Sequence, residues 1–392
     1  MPGAPSIDQL IRQMCDLGAS DLHIKVDARP GLRIDGRLRA LTAYDPLRRE
    51  DCEALLDQVV PPSLRQKLSD AGDLDFSYEP PEGGRFRVNA LYERGRPGLV
   101  MRRIPPEIPS FEELGMPEVC RSLTQRPRGL VLVTGPTGCG KSTTLAAMID
   151  EINRTQEYHI VTVEDPVEFI HHNKRSYVTQ REVGRDTRDF AEALRHSFRQ
   201  DPDVILVGEM RDLETIAIAL AAAETGHVVL ATLHTTSAPQ AIDRIVDVFP
   251  AEAQPQIRLQ LASTLEGIVT QCLLPRIGGG RVAAHEVLIG TDAVRGCIRE
   301  AKSHHLVSLI QTGASVGMQS LESSLANLVE SGIVSRETAF SRANRPELLE
   351  TLLTTSGRQP ARSASRSPPP STPRPAAPKP VVKSVRLIDR FK

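Results

Sequence analysis

Apolar and polar positions divide the chain into stretches of different period. Near the start, Ile7, Leu10, Ile11 and Met14 recur at helical spacing and predict a short helix. Residues 23–26, 31–34 and 38–41 then read as strands, with Asp35-Gly36 as a hairpin turn between the last two. A helix over 55–68 and strands at 86–92 and 99–104 complete a small mixed α+β unit over residues 1–104. Prolines 105, 106 and 109 break the pattern and mark a linker over 105–111.

From 112 to 290 the pattern changes. Residues 130–133 (LVLV), 160–163 (IVTV), 204–207 (VILV) and 228–230 (VVL) are apolar runs without alternation. Such runs suit parallel strands covered on both faces. Helical spacing fills the intervals, as at Leu145, Met148, Ile149 and Ile152. The expected architecture is a three-layer α/β sheet. Residues 291–355 read as helices only, with Leu321, Leu325, Leu328 and Val329 on one face. From 356 to 392 the chain carries eight prolines and six serines, cannot form a core, and is expected to be disordered. A weak apolar patch there (Val385, Leu387, Ile388, Phe391) is either a frayed end or a docking element.

Composition narrows the picture. At 392 residues the chain has room for two or three domains, and 40% hydrophobic with 25% charged residues is ordinary for a globular protein. The formal charge is −1, but residues 356–392 hold nine basic side chains against one acidic, so the body stands at −9. An acidic body argues against a nucleic-acid partner. The tail's charge fits a solvated extension, contact with anionic membrane, or phosphorylation at its serines. Six scattered cysteines without a CxxC pair read as reduced thiols rather than disulfides or a zinc site. The N-terminus lacks the pattern of a signal peptide. The longest apolar stretch, 216–233, is interrupted by Glu224 and His227, so a cytoplasmic protein is expected.

The chemistry begins at residues 135–142, GPTGCGKS, which fit GxxxxGKS between a buried strand and an amphipathic helix. Glycines let the backbone wrap until its N–H groups aim at phosphates, and the helix start adds partial positive charge. Gly135, Pro136, Thr137, Gly138, Cys139, Gly140, Lys141, Ser142 and Thr143 are therefore the expected nucleoside-triphosphate cradle. Lys141 would reach the β- and γ-phosphates and Ser142 would ligate Mg²⁺. The strand at 204–207 delivers Glu209 at its C-terminal end, where open α/β sheets place ligands. A carboxylate there can hold the metal's water shell or polarise the attacking water. Glu164, Asp165 and Glu168 end another strand, either as active-site acids or as a solvated loop. Gly226-His227 and Leu233-His234-Thr235 bracket one more strand; in a parallel sheet His234 lies at its C-terminal end beside these acids, and His227 at the opposite end. Each histidine can also be a satisfied structural residue.

The segments GPTGCGKSTTLAAMID, VEDPVEF, QREVG, DPDVILVGEMRDLETI and ETGHVVLATLHTTSA resemble the phosphate loop, Asp box, Walker B and His box of the secretion ATPase superfamily. Within it they most resemble the retraction ATPases of type IV pili. AVRGCIRE at 293–300 is similar to the AIRNLIRE element of that branch, and GMQSL at 317–321 to its following helix. The resemblance spans about residues 5–345 and leaves out the tail. It implies an N-terminal PAS-like domain and a RecA-like P-loop NTPase domain assembled as a homo-hexamer that uses ATP and Mg²⁺. On it, Glu209 is the catalytic acid, with Glu168 beside the water or metal. His227 and His234 form the His-box pair, and His234 is the nearer to the γ-phosphate. Arginines of the N-terminal domain reach a neighbour's nucleotide in this family; Arg85, Arg87, Arg102 and Arg103 are the candidates, each alternatively a surface ion pair.

The resemblance further implies a cytoplasmic ATPase at the inner face of the cytoplasmic membrane, coupled to a pilus platform protein, with a second pilus ATPase as a further partner. The alternatives are a pilus-assembly or type II secretion ATPase, or an ATP-binding regulatory ring. Assembly and secretion ATPases usually carry a tetracysteine zinc module after the His box, whereas only Cys272 and Cys297 follow it here. Two departures stand out. Cys139 replaces a usual serine, which puts a thiol near the γ-phosphate, and Gly296 weakens the AIRNLIRE-like helix by ~1 kcal/mol.

Overall fold

The computed structural model describes residues 5–34, 36–81, 83–104 and 107–356. Expectations for Asp35, Pro105, Pro106 and residues 357–392, including the disordered tail and its apolar patch, lie outside the described residues.

Two sheets organise the chain. The first contains β1 (Asp21–Lys25), β2 (Gly31–Ile34), β3 (Arg37–Ala40), β4 (Asp73–Tyr78), β5 (Arg85–Glu93) and β6 (Arg96–Ile104). Their order is β3-β2-β1-β6-β5-β4, every neighbour antiparallel. Ile7, Leu10, Ile11 and Met14 of helix Ile7–Asp16 bury against it with Leu22, Leu55, Val88 and Met101. The expected helix over 55–68 is instead two, Arg49–Val59 and Arg65–Ala71. Pro61 and Pro62 cause the break, because proline lacks the N–H and disfavours helix in the residue before it. Strand β4 was not anticipated: it alternates aspartate and serine with apolar residues and gains its identity from pairing with β5.

The second sheet contains β7 (Gly129–Thr134), β8 (His159–Glu164), β9 (Tyr177–Glu182), β10 (Val204–Val207), β11 (Val228–Leu233), β12 (Leu265–Pro275) and β13 (Arg281–Ile289). The order is β13-β12-β7-β11-β10-β8-β9, parallel except for the β12–β13 hairpin. All four apolar runs are parallel strands, and β7, β10 and β11 are buried along their full length. Helices Lys141–Thr155, Leu213–Glu224 and Ala238–Asp247 contribute to the same core, so the α/β expectation holds. The β12–β13 hairpin turns through Gly278, Gly279 and Gly280, all with left-handed φ (88°, 106° and 78°), a conformation that favours glycine.

Beyond β13 the elements are helical, as expected. Leu321, Leu325, Ala339 and Leu349 form a satellite core against Leu274 and Ala284 of the hairpin. In the AIRNLIRE-like helix Asp292–Arg299, the Arg295 guanidinium donates to the Ala262 and Ser263 carbonyls at 2.7 Å each and to Glu266 at 2.8 Å. Arg295 thus caps the C-terminal end of helix Gln254–Thr264, where free carbonyls favour a cation. Parallel topology places the C-terminal ends of β7, β8, β10 and β11 along one edge, and the candidate site lies there.

Candidate nucleotide site

The loop after β7 is shaped by close approach. At Gly135 (φ 144°) an added Cβ would lie 2.3 Å from the Gln271 carbonyl oxygen and 2.6 Å from Cys139 Sγ, so no side chain fits. Gly140 (φ 94°) ends the loop and starts helix Lys141–Thr155. Lys141 Nζ donates to the carbonyls of Gly135 (2.9 Å) and Pro136 (3.3 Å), while Ser142 and Thr143 follow, half-buried, in the first helical turn. Burial lowers the Lys141 pKa, and the nearby Glu209 and Glu168 carboxylates partly oppose that shift.

Gln271 on β12 braces the loop from behind, a role that the sequence reading missed. Its amide donates to the Cys139 carbonyl at 2.7 Å and accepts from the Thr144 hydroxyl at 2.8 Å. The available signal was a glutamine lying between the apolar pairs Ile268-Val269 and Leu273-Leu274, since buried amides need partners. The Cys139 side chain is turned inward and buried, and burial raises its pKa. The thiol at this position of the loop is therefore covered and kept protonated.

Glu209 follows β10 and His234 follows the adjacent β11, so strand pairing brings them together. His234 Nε2 lies 3.0 Å from Glu209 Oε1, and its Nδ1 lies 3.4 Å from both Lys141 Nζ and Thr137 Oγ1. An imidazole carrying its proton on Nε2 donates to the carboxylate and accepts from the ammonium at once. Arg211, another residue the sequence reading passed over, holds Glu209 Oε1 at 2.6 Å. Burial alone would raise the Glu209 pKa, but Arg211 and His234 outweigh it and hold it below the ordinary value. Glu209 is thus ionised across the neutral range.

The Asp-box acids differ in environment. Glu168 is half-buried and within electrostatic reach of Lys141; Asp165 is exposed, with Arg87 and Arg211 opposing the rise that burial gives its pKa. Glu164 accepts from Thr162 Oγ1 (2.7 Å) and Gln180 Nε2 (3.2 Å), yet burial pushes its pKa to about 7. Because the folded value lies above the ordinary carboxyl value of 4.5, the stabilisation is complete below about 4.5 and is lost as pH rises through about 7. Glu164→Gln is accordingly expected to flatten the stability curve over that window, by on the order of 2–3 kcal/mol. Urea unfolding across the pH range checks it; equal slopes in both proteins would refute the shift.

His227 is not brought to this edge. It sits before β11 at the far end of the sheet, with Nδ1 3.0 Å from the Ala222 carbonyl and its ring edge-on to Phe198. The arginines separate as well. Arg85 is half-buried and engaged within its own chain, where it pairs with Glu182 (2.6 Å) and Glu79 and donates to Ser77 Oγ (3.0 Å) and the Val167 carbonyl (3.1 Å). Glu182 also accepts the Val167 N–H at 3.1 Å, so this pair clamps the loop carrying Glu168 instead of facing outward. Arg102 pairs with buried Asp21 at 2.8 Å, and half-buried Arg87 stands 3.9 Å from Asp75. Arg103 has no carboxylate partner among the described residues.

Lys141, His234 and Glu209 converging at the ends of three parallel strands define a P-loop nucleotide-binding α/β protein. Comparison with known proteins agrees. The family model described as "Type II/IV secretion system protein" matches residues 2–279. The type IV pilus retraction ATPase PilT of Pseudomonas aeruginosa is 51% identical over 87% of this chain and 99% of its own length. A twitching motility protein of Neisseria gonorrhoeae is 47% identical over 81% of this chain and 85% of its own. A crystal structure of the pilus retraction motor PilT with bound ADP superposes with a TM-score of 0.83 at 48% identity, covering 88% of this chain and 99% of that one. The chain belongs to the Type II/IV secretion system protein family, in its PilT-type pilus-retraction ATPase branch. No helix among the described residues is long and apolar enough to cross a membrane.

Proposed function

We propose that this protein hydrolyses ATP to drive retraction of a type IV pilus. The observation that carries the chemistry is His234 bridging Glu209 and Lys141 at the end of the glycine loop. In this reading the backbone N–H groups of residues 135–143 and the start of helix Lys141–Thr155 cradle the phosphates. Lys141 exchanges its carbonyl contacts for the β- and γ-phosphates. Glu209 orients and polarises the attacking water, and His234 links it to the γ-phosphate end of the loop.

The donor set at this edge fits Mg²⁺: the Ser142 hydroxyl lies at the helix start, and the Glu168 and Glu209 carboxylates lie within electrostatic reach of Lys141. Magnesium is ordinarily held by a few oxygen ligands together with phosphates and water, so a dedicated protein cage is not required. Bound there, the ion would neutralise charge developing on the phosphates. Glu164, with its raised pKa, would support the loop rather than ligate directly.

The working unit in this proposal is a homo-hexamer, with an N-terminal arginine facing the nucleotide of the next subunit. Arg87 and Arg103 suit that role better than Arg85, which is engaged within its own chain. One nucleotide touching two subunits couples its hydrolysis to their relative packing. The force would act on a pilus platform protein at the cytoplasmic face of the inner membrane, alongside a second pilus ATPase. Deleting the gene in its host tests the direction: abundant surface pili without twitching are expected. Cells bare of pili would instead identify an assembly motor.

A further inference from the structure

Two buried carboxylates take no part in the site as described. Glu286 on β13 is only 4% exposed, and Glu322, at the start of helix Leu321–Glu330, is fully buried. Glu286 Oε1 accepts the Ala238 N–H at 2.8 Å. Ala238 is the first residue of helix Ala238–Asp247, where backbone donors lack intrahelical partners and a carboxylate is favoured. Only Thr235, Thr236 and Ser237 separate it from His234.

Glu322 anchors the other side. It accepts the Arg345 backbone N–H at 3.0 Å and its guanidinium at 3.2 Å. Glu286 feels both charges: Glu322 adds to the rise that burial gives its pKa, and Arg345 opposes it. Neighbouring Asn344 reaches the Thr236 carbonyl at 3.5 Å. The link from His234 to Ala238 is therefore gripped by Glu286 from the sheet and approached by Asn344 from the loop between helices Arg336–Phe340 and Pro346–Ser356.

We propose that Glu286 is a positioning residue: seated on the Ala238 N–H and backed by the Glu322–Arg345 pair, it fixes the His234 segment against Glu209 and Lys141. Through Arg345 the packing of the C-terminal helices is thereby coupled to the nucleotide site. This rests on the reading that His234 and Glu209 act on bound nucleotide. Removing the carboxylate leaves a buried N–H without a partner, which the His234 segment relieves by shifting. A displacement of about 1 Å in a reacting constellation costs on the order of 10²-fold in rate.

The test uses the full-length protein, with ATP hydrolysis and ADP affinity measured in parallel and rates expressed per ADP-binding site. Glu286→Ala is expected to lower kcat by about 10- to 100-fold while KM for ATP and ADP affinity stay within about twofold. Glu286→Gln, which keeps an acceptor for the Ala238 N–H, should restore most of kcat. A merely structural role would lower the fraction of competent sites and leave kcat per site unchanged, and that result overturns the proposal. Should Glu286→Ala fail to fold, Arg345→Ala decides: kcat reduced several-fold at constant KM supports it, and unchanged kcat overturns it. His234→Ala separates the two levels. A full rate there refutes the site reading itself, whereas a lost rate there with a full rate in Glu286→Ala refutes this inference alone.

Discussion

Lys141→Ala should reduce kcat/KM for ATP by at least about 10²–10³-fold, with weakened nucleotide binding as a major part of the loss. The ammonium lies against the Gly135 and Pro136 carbonyls and 3.4 Å from His234, with no carboxylate among the described residues paired to it directly. Exchange of those neutral carbonyls for phosphate oxygens gains a charge-assisted contact that alanine cannot supply. The loop should keep its shape in the variant, because Gln271 and Thr144 brace it from β12 and the helix. Circular dichroism should therefore be unaltered while turnover and twitching are lost together. Normal turnover in a folded Lys141→Ala protein would contradict the assignment of the phosphate loop.

Glu209→Gln should have the second large effect, and of a different kind. The amide occupies the same volume and can still contact Arg211 and His234, so ATP affinity is expected to change by less than about tenfold. It cannot polarise water as a carboxylate does, and kcat should fall by about 10²–10⁴-fold, the range for loss of a general base. The variant would then accumulate with ATP bound. The pH profile sharpens the point. Arg211 and His234 together hold the Glu209 carboxyl below its ordinary value, so its protonation should not limit wild-type activity near neutrality. Rapid-quench hydrolysis and filter binding separate chemistry from affinity. A proportional loss of both would identify Glu209 as a binding residue only.

What the sequence made legible was local. The four apolar runs became the parallel strands β7, β8, β10 and β11 because burial on both faces dictates composition residue by residue. The glycine loop was readable because Gly135 and Gly140 adopt backbone conformations other residues avoid. Glu209 and His234 could be placed together because their neighbouring parallel strands end at the same edge. The missing pieces depend on contacts distant along the chain. Gln271 braces a loop more than a hundred residues upstream, and β12 mixes polar and apolar positions in a way no single period captures. Strand β9 (YVTQRE) is largely polar and owes its form to pairing with β8. Arg85 was visible as a basic residue, but its choice of Glu182 over solvent is set by how the two sheets pack. Glu286 carries no motif, and its partner Ala238 lies 48 positions away along the chain.

A crystal structure of the full-length protein with Mg²⁺ and a non-hydrolysable ATP analogue tests the central claim most directly. The account predicts the triphosphate wrapped by residues 135–143, its γ-phosphate against Lys141 Nζ and His234, and Glu209 beside the position of the attacking water. Nucleotide bound on another surface, or a γ-phosphate remote from Glu209 and His234, would contradict it.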